Sequence, residues 1–278
     1  MGVESMIPRI WSDLTVEKLQ NALVFGGLAN TGYEGEITGY GDSVTISTVG
    51  HPTVSDYTGA DFTWEDVDAA ARVLKIDKAK YATQLLGDVE AAQIKPKIVN
   101  QITQNLAYSL ADSIDADVAK LYTDAGIVDG STGSVTDVDS SDVLEYVFNI
   151  GTKMNENNVP SQGRVLVVPP WFVEKMQLAK VTLDTDNSAA LATGFVGSFG
   201  GFQIYWSNNV ANSGTSWWAP MAFRAGDGIA LAQQLVSMET TRTERNFKTG
   251  VKSLVVYGCK VIRPEAVYAG FCAPGAED

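Results

Sequence analysis

The chain has 278 residues, of which 45% are apolar and 19% are charged, and its net charge is −13 at pH 7. The length and the apolar fraction suffice for one large domain or two small ones with a real core. Tight binding to nucleic acid phosphates depends on Lys and Arg displacing counterions, so the acidic charge excludes a conventional DNA-binding protein. The sparse charge also indicates a surface that is partly buried against other copies of the chain.

Signals for targeting and for disulfide bonding are few. The first residues contain Glu4 and Pro8 but no continuous apolar run, which predicts a chain without a signal peptide. No segment has the length of a membrane span, so we expect no membrane association. Cys259 and Cys272 would form a disulfide only on adjacent strands, and we predict instead two small buried apolar side chains in a reducing cytoplasm.

The N-terminal third is predicted to contain an arm and a long hairpin. Pro8 forces an extended start, and the apolar spacing that follows predicts a short amphipathic helix, which Gly26-Gly27 ends. Strands are predicted over residues 33–50 and 72–81, with a polar excursion between them. This hairpin has too few apolar residues for a core of its own, so we expect it to pack against a neighbour.

The clearest helical signal lies in residues 88–124. Apolar residues recur there at a spacing of three or four, at Ile94, Ile98, Ile102, Leu106, Leu110, Ile114, Val118 and Leu121. This stripe predicts a helix of about ten turns, which Gly126 ends. A helix so long in a chain of this size indicates an architectural spine.

Short elements follow in the rest of the chain. After a loop over 127–139, we predict a helix over 143–154 capped by Ser140 or Ser141. The next predicted elements are a strand over 163–168, a helix over 171–179, a loop over 182–200, and strands over 202–206 and 217–223. The C-terminal part is predicted as a strand over 236–245, a turn at Lys248-Thr249-Gly250, a strand over 252–263 with Val255, Tyr257, Cys259 and Val261 on one face, and a strand over 267–271.

Residues suited to catalysis are sparse. His51 is the one histidine, so neither a His-rich metal site nor a Ser-His-Asp triad is expected. No glycine motif for phosphate binding precedes a helix. Carboxylate pairs such as Asp137 with Asp139 and Asp184 with Asp186 lack the loop spacing of a known calcium site. We therefore predict no enzyme, no cofactor and no metal site, with a carboxylate-based hydrolase as the remaining enzymatic alternative.

Charge and aromatic side chains point to contacts between molecules. Residues 129–145 are acidic and residues 242–263 are basic, which permits complementary contacts between copies, while two solvated faces are the alternative. Trp217 and Trp218 are expected on opposite faces of a strand, which leaves one indole for an interface.

Five segments occur in an order that is specific. They are Ile7-Pro8-Arg9-Ile10-Trp11, Tyr33-Glu34-Gly35-Glu36-Ile37 with Gly41-Asp42-Ser43-Val44, Ala107-Tyr108-Ser109-Leu110-Ala111-Asp112-Ser113-Ile114-Asp115, Gly163-Arg164-Val165-Leu166-Val167-Val168-Pro169-Pro170, and Gly250 to Ala266. In this order they resemble the major capsid proteins of tailed phages, which have the Hong Kong 97-like fold. The similarity covers essentially the whole chain.

The resemblance implies an α+β fold in four regions. These are an N-terminal arm (1–32), an extended β-hairpin loop (33–86), a peripheral domain with a long spine helix (87–126) and long antiparallel strands (236–278), and an axial domain (127–235). It also implies pentamers and hexamers of an icosahedral virion shell, assembled in the host cytoplasm around double-stranded DNA that is bound without sequence specificity. A scaffolding protein, a portal and a decoration protein are the other implied partners. The alternatives are an encapsulin-like nanocompartment shell and a minor structural protein of the virion.

Contacts between subunits are assigned from the arm, the loop, the tryptophans and the basic segment. Some relatives cross-link a loop lysine to an asparagine of a neighbour, and three lysines here occupy the corresponding loop. The candidate contact residues are Ile7, Trp11, Leu74, Ile76, Lys75, Lys78, Lys80, Trp217, Trp218, Arg242 and Arg245.

Overall fold

The computed structural model describes residues 23–33, 41–49, 69–87, 97–179, 195–214, 216–242 and 248–275. Its helices are α1 (Phe25–Leu28), α2 (Lys97–Ala119), α3 (Val143–Glu156) and α4 (Pro170–Leu178), with 3₁₀ turns at Lys120–Asp124 and Pro264–Ala266. Its strands are β1 (Ser43–Val49), β2 (Ala69–Lys75), β3 (Lys78–Gly87), β4 (Ile127–Asp129), β5 (Thr136–Val138), β6 (Arg164–Val168), β7 (Phe195–Phe199), β8 (Phe202–Trp206), β9 (Met221–Arg224), β10 (Ile229–Arg242), β11 (Lys248–Val261), β12 (Val267–Gly270) and β13 (Cys272–Pro274).

The longest strands form an antiparallel sheet in the order β10-β11-β3. Val255, Tyr257 and Val261 of β11 alternate onto one face, where they are buried together and Cys259 packs against them. This confirms the predicted long apolar strand and its shared face. The predicted turn at Lys248-Thr249-Gly250 is wrong, because these residues belong to β11, where Thr249 pairs with Arg242.

The spine helix α2 packs on that face of the sheet. Leu110, Ile114 and Val118, spaced by four residues, are buried in the same cluster as Val255 and Tyr257. The predicted stripe is therefore confirmed over these turns, and residues 88–96 of the predicted helix lie outside the described residues. The chain turns sharply at Gly126, where a Cβ atom would lie 2.6 Å from the carbonyl of Pro264.

A second sheet has the strand order β4-β12-β9-β6-β8-β7. Its strand β6 is buried along its whole length, with Val165 and Val167 in the cluster around α2, while Leu166 and Val168 pack with α3 and α4. Both faces of β6 are covered, which explains its continuous apolar sequence. The predicted helices over 143–154 and 171–179 and the strands over 163–168, 202–206 and 267–271 are confirmed.

Some local predictions for this half of the chain are wrong. The predicted loops contain β4, β5 and β7. β4 and β5 are three residues each, and they pair with β12 and β13 near the C-terminus, so they carry almost no local signal. The predicted serine cap of α3 is wrong as well, because Asp139 Oδ1 accepts the backbone N–H groups of Ser141 and Asp142 at 2.7 and 2.9 Å.

The predicted hairpin is present, but its strands run differently. β1 and β2 pair antiparallel from Ser43 with Lys75 to Val49 with Ala69. The predicted returning strand breaks after Lys75, because the chain from Lys78 onward joins β11 as β3. The hairpin crosses β11 at Gly258, where a Cβ atom would lie 2.1 Å from the Lys75 carbonyl oxygen, so only glycine permits this approach.

The N-terminal helix also departs from its prediction. Gly26 and Gly27 lie inside α1 instead of ending a longer helix, because three backbone hydrogen bonds to the Asp115 carboxylate of α2 hold this single turn. Residues 14–22 of the predicted helix lie outside the described residues. Across the parts of the chain that the structure describes, no helix has both the length and the apolar composition needed to cross a lipid bilayer.

Candidate intersubunit surfaces

The two apolar hairpin residues assigned to contacts between copies are buried within the chain. Leu74 and Ile76 are 1% and 0% exposed, and they pack with Ala230, Val256 and Ile262. Their assignment as contact residues is therefore corrected. The physical reason is that the base of the hairpin packs on the face of β10 and β11 that points away from α2. The apolar residues of that face bury Leu74 and Ile76, so the described part of the hairpin packs against its own chain.

The three candidate loop lysines have different surroundings. Lys75 is exposed. Lys80 Nζ lies 3.2 Å from Asp117 Oδ2 and donates a hydrogen bond to Ser113 Oγ at 2.7 Å. Lys78 Nζ donates to Cys259 Sγ at 3.4 Å. Lys80 is thus held against α2 and Lys78 against β11 of their own chain, which leaves Lys75 as the lysine presented outward.

Asp117 is the centre of this polar contact between α2 and the sheet. Its carboxylate accepts hydrogen bonds from Tyr257 Oη at 2.5 Å and from Lys120 Nζ at 2.8 Å, in addition to the ion pair with Lys80. Burial alone would raise the pKa of the Asp117 carboxyl, but the hydrogen bonds from Lys120, Tyr257 and Lys80 outweigh burial and hold that pKa well below its usual range.

An Asp117→Asn change is expected to lower the free energy of unfolding by about 2 kcal/mol at pH 7, because the lysine and tyrosine partners lose a charged acceptor. A depressed native pKa stabilises the fold above the unfolded-state pKa, so the advantage of the wild type should shrink as the pH falls below about 4. Urea unfolding at pH 7 and pH 3 measures both effects. Asp124→Asn removes a charge from an exposed position and is the control, and equal losses in the two variants would contradict the assignment.

The two adjacent tryptophans do not lie on a strand. β9 begins only at Met221, and both indoles are half-buried. Trp217 packs against Phe271 with ring centroids 5.3 Å apart, and Trp218 packs against Trp171 at 5.6 Å. The expected placement on opposite faces of a strand is wrong, because the pair closes a junction inside the chain. A contact of either indole with a neighbouring copy stays a prediction.

Exposed apolar side chains also occur outside the set of predicted contact residues. Tyr81 and Leu85 of β3 are 75% and 59% exposed. They face away from α2, since the alternating residues Lys80 and Ala82 contact it. A Cβ atom at Gly250 would lie 3.2 Å from Leu85 Cδ2, so the Leu85 side chain extends over β11. Tyr81, Leu85 and Gly250 define the outer sheet face, which the period of two along β3 could have indicated.

A second exposed apolar site lies at the edge of the six-stranded sheet. Phe148 of α3 is 55% exposed, and its ring centroid lies 5.3 Å from that of Phe199 in the edge strand β7. The turn between β7 and β8 uses Gly200 and Gly201, whose φ angles are 59° and 85°. Glycine adopts this backbone at little steric cost, so the turn brings Phe199 beside α3.

The charged segments are only partly available to partners. Lys252 pairs with Glu239 at 2.7 Å, and Arg263 lies 3.4 Å from Asp227. Arg242 is exposed, while Arg245, Ile7 and Trp11 lie outside the described residues. In the acidic segment, a shallow groove is lined by Thr136, Asp137, Val138, Asp142, Glu145, Tyr146 and Asn149. Within the described ranges, no three His, Cys, Asp or Glu side chains are grouped so as to hold a metal ion.

Comparisons with known proteins agree with this architecture. A family model described as phage capsid protein matches residues 88–270. A solved structure from Mycobacterium phage Che8 aligns with a TM-score of 0.70 at 26% identity, over 89% of this chain and 90% of that chain.

Two more distant structures share the fold. One from Mycobacterium phage Ogopogo aligns with a TM-score of 0.63 at 10% identity, over 90% of this chain and 92% of that chain. A virus-like particle from Pyrococcus furiosus aligns with a TM-score of 0.59 at 11% identity, over 95% of this chain and 98% of that chain. No curated protein sequence shows a significant match.

Proposed function

The chain belongs to the phage capsid protein family and has the Hong Kong 97-like fold of major capsid proteins, and from that premise we propose that it assembles into the pentamers and hexamers of an icosahedral shell around double-stranded DNA. The observation that carries the proposal is the family match over residues 88–270, which includes α2, the six-stranded sheet and strands β10 and β11 of the three-stranded sheet. The family is a structural one, and we propose that the subunit itself catalyses no reaction.

The charge of the chain supports a container for DNA. At a net charge of −13, the subunit as a whole does not attract phosphates, so enclosed DNA would remain unattached to most of the wall. We propose that the shell is held by many protein contacts, each weak alone, that add up because every subunit makes several. The place of the protein is the virion capsid. We propose assembly in the host cytoplasm, with a scaffolding protein, a portal and a decoration protein as partners.

We propose the four regions of the resemblance as functional units. The arm (1–32) and the extended loop (33–86) are the straps between subunits, while the spine helix (87–126) and the C-terminal strands (236–278) form a rigid body, beside the axial domain (127–235). The pairing of β3 with β11 supports a strap that begins at the rigid sheet. Its stiff base would set the direction of the loop.

The outer sheet face is a proposed contact for a second copy. Replacing both Tyr81 and Leu85 by Ser should change the thermal unfolding of the isolated subunit very little, because exposed positions contribute within about 0.5 kcal/mol. The same double change should slow or reduce shell formation, because it removes an exposed apolar patch. Light scattering during assembly measures the rate, and an unchanged rate would remove this face from the list of contacts.

The test of the proposed function is expression of the chain, alone and with the neighbouring phage genes, followed by electron microscopy of the lysate. Closed shells of uniform size are expected in at least one condition. Small soluble species in both would overturn the proposal and favour a minor structural protein of the virion.

A nanocompartment shell is the second candidate, because the chain also aligns with the virus-like particle from Pyrococcus furiosus. Purified shells distinguish the two functions by their contents. Double-stranded DNA, protected from nuclease in particles made during infection, supports the phage capsid. A co-purifying enzyme inside shells without DNA would support the nanocompartment.

A further inference from the structure

Residues 23–30, here called the arm root, are bound to α2 by one carboxylate. The backbone N–H groups of Val24 and Phe25 donate to Asp115 Oδ2 at 2.8 and 3.3 Å, and the N–H of Gly26 donates to Oδ1 at 3.0 Å. Asp115 is 2% exposed. Both carboxylate oxygens are therefore used to hold a segment that lies about 90 residues away in the sequence.

The other end of the arm root is attached to β10. The N–H of Asn30 donates to the carbonyl of Ile229 at 2.8 Å, and the N–H of Leu231 donates to the carbonyl of Asn30 at 3.0 Å. Between the two attachments, Phe25 is fully buried, and a Cβ atom at Gly26 would lie 2.9 Å from a Leu231 methyl group. The arm root is thus closely fitted between α2 and the sheet.

The Asp115 carboxylate supplies hydrogen-bond acceptors that the short helix α1 lacks at its start. α1 has a single turn, so its first N–H groups have no partner within the helix, and Val24 before it makes no side-chain cap. A helix of this length does not persist by itself in water. Without Asp115, three backbone donors, two of them in buried hydrogen bonds, would lose their acceptor.

We propose that Asp115 is a positioning residue that fixes the direction in which the N-terminal arm leaves the subunit, and that shell assembly depends on this anchor more than folding of the subunit does. The inference rests on the proposed function, because the arm acts there as a strap between subunits. In this scheme Asp115 acts only through the arm root that it holds.

The burial of Asp115 also shifts the pKa of its carboxyl group. Burial raises the pKa of Asp115 to about 6, against opposing hydrogen bonds from Gly26, Val24 and Phe25, and nearby Asp112 raises it further. Neither the arm root nor residues 229–231 contain an ionisable side chain. The buried Asp115 carboxyl therefore holds a proton more tightly than a released, solvated one would, although the three backbone donors favour its ionised form and limit the rise.

The test compares Asp115→Ala and Asp115→Asn with Asp112→Ala, which removes an exposed carboxylate from the same helix. Hydrogen exchange of the unassembled subunit at pH 7.5 is expected to be at least about tenfold faster for residues 24–26 in Asp115→Ala. Peptides from α2 and from β10–β11 should keep their protection, and chymotrypsin should gain access to Phe25. Asp115→Asn, which retains one acceptor oxygen, should be intermediate, and Asp112→Ala should match the wild type.

Shell yield by electron microscopy completes the test. Asp115→Ala is expected to give few or no closed shells, and Asp115→Asn should recover part of the yield. Unchanged exchange at residues 24–26, or loss of protection throughout the subunit, would overturn the inference. Normal shells from Asp115→Ala with a loosened arm root would overturn it as well. A wild type that makes no shells in any condition would instead overturn the proposed function.

Discussion

Replacing residues 51–67 by a short Gly-Ser turn is expected to abolish closed shells while leaving the subunit folded. The pairing of β1 with β2 ends at Val49 and Ala69, so the replacement leaves that ladder complete. The base of the hairpin is held by Leu74 and Ile76 in a cluster with the sheet, independently of the replaced segment. Circular dichroism and thermal unfolding test the fold of the subunit, and electron microscopy tests its assembly.

The size of this expected effect follows from multivalency. A shell subunit makes several weak contacts at once, and loss of one whole strap removes contacts from every subunit of the particle. The control changes Thr132 to Ser in the exposed turn 131–134, whose other residues are already serine and glycine, and shells should still form. Normal particles from the loop variant would refute the role of the extended loop as a strap.

Ile114→Asp is expected to prevent folding of the subunit. Ile114 is fully buried in α2, in the cluster that contains Val255 and Tyr257. A carboxylate there would have neither water nor a partner, and it would also replace a packed apolar side chain. The expected loss is at least about 3 to 5 kcal/mol, a large part of the stability of a typical domain.

Tyr108→Asp provides the control for that change, because Tyr108 lies on the same helix and is 64% exposed. Its effect on the free energy of unfolding should stay within about 0.5 kcal/mol. The measurement is the solubility of each variant and the presence of a cooperative thermal transition. A cooperative transition of Ile114→Asp at the wild-type temperature would contradict the placement of α2 in the core.

Elements with a strong local pattern of apolar residues could be predicted from the sequence alone. The four-residue spacing of Leu110, Ile114 and Val118 is enough to define the buried stripe of a helix, because one helical turn repeats that spacing. The alternation of Val255, Tyr257 and Val261 likewise defines one face of a strand. The order of five segments along the chain then indicated the fold class, to which the axial elements α3, β6 and α4 also conform.

Only the tertiary structure decided which surfaces these elements share. The separation of β3 from the hairpin depends on pairing with β11, more than 160 residues later in the chain. Leu74 and Ile76 therefore face their own core instead of a neighbour. Asp115 and Asp117 interrupt the apolar pattern of α2 as ordinary polar residues would. Their roles depend on donors from distant segments, and contacts between residues so far apart leave no periodic trace in the sequence.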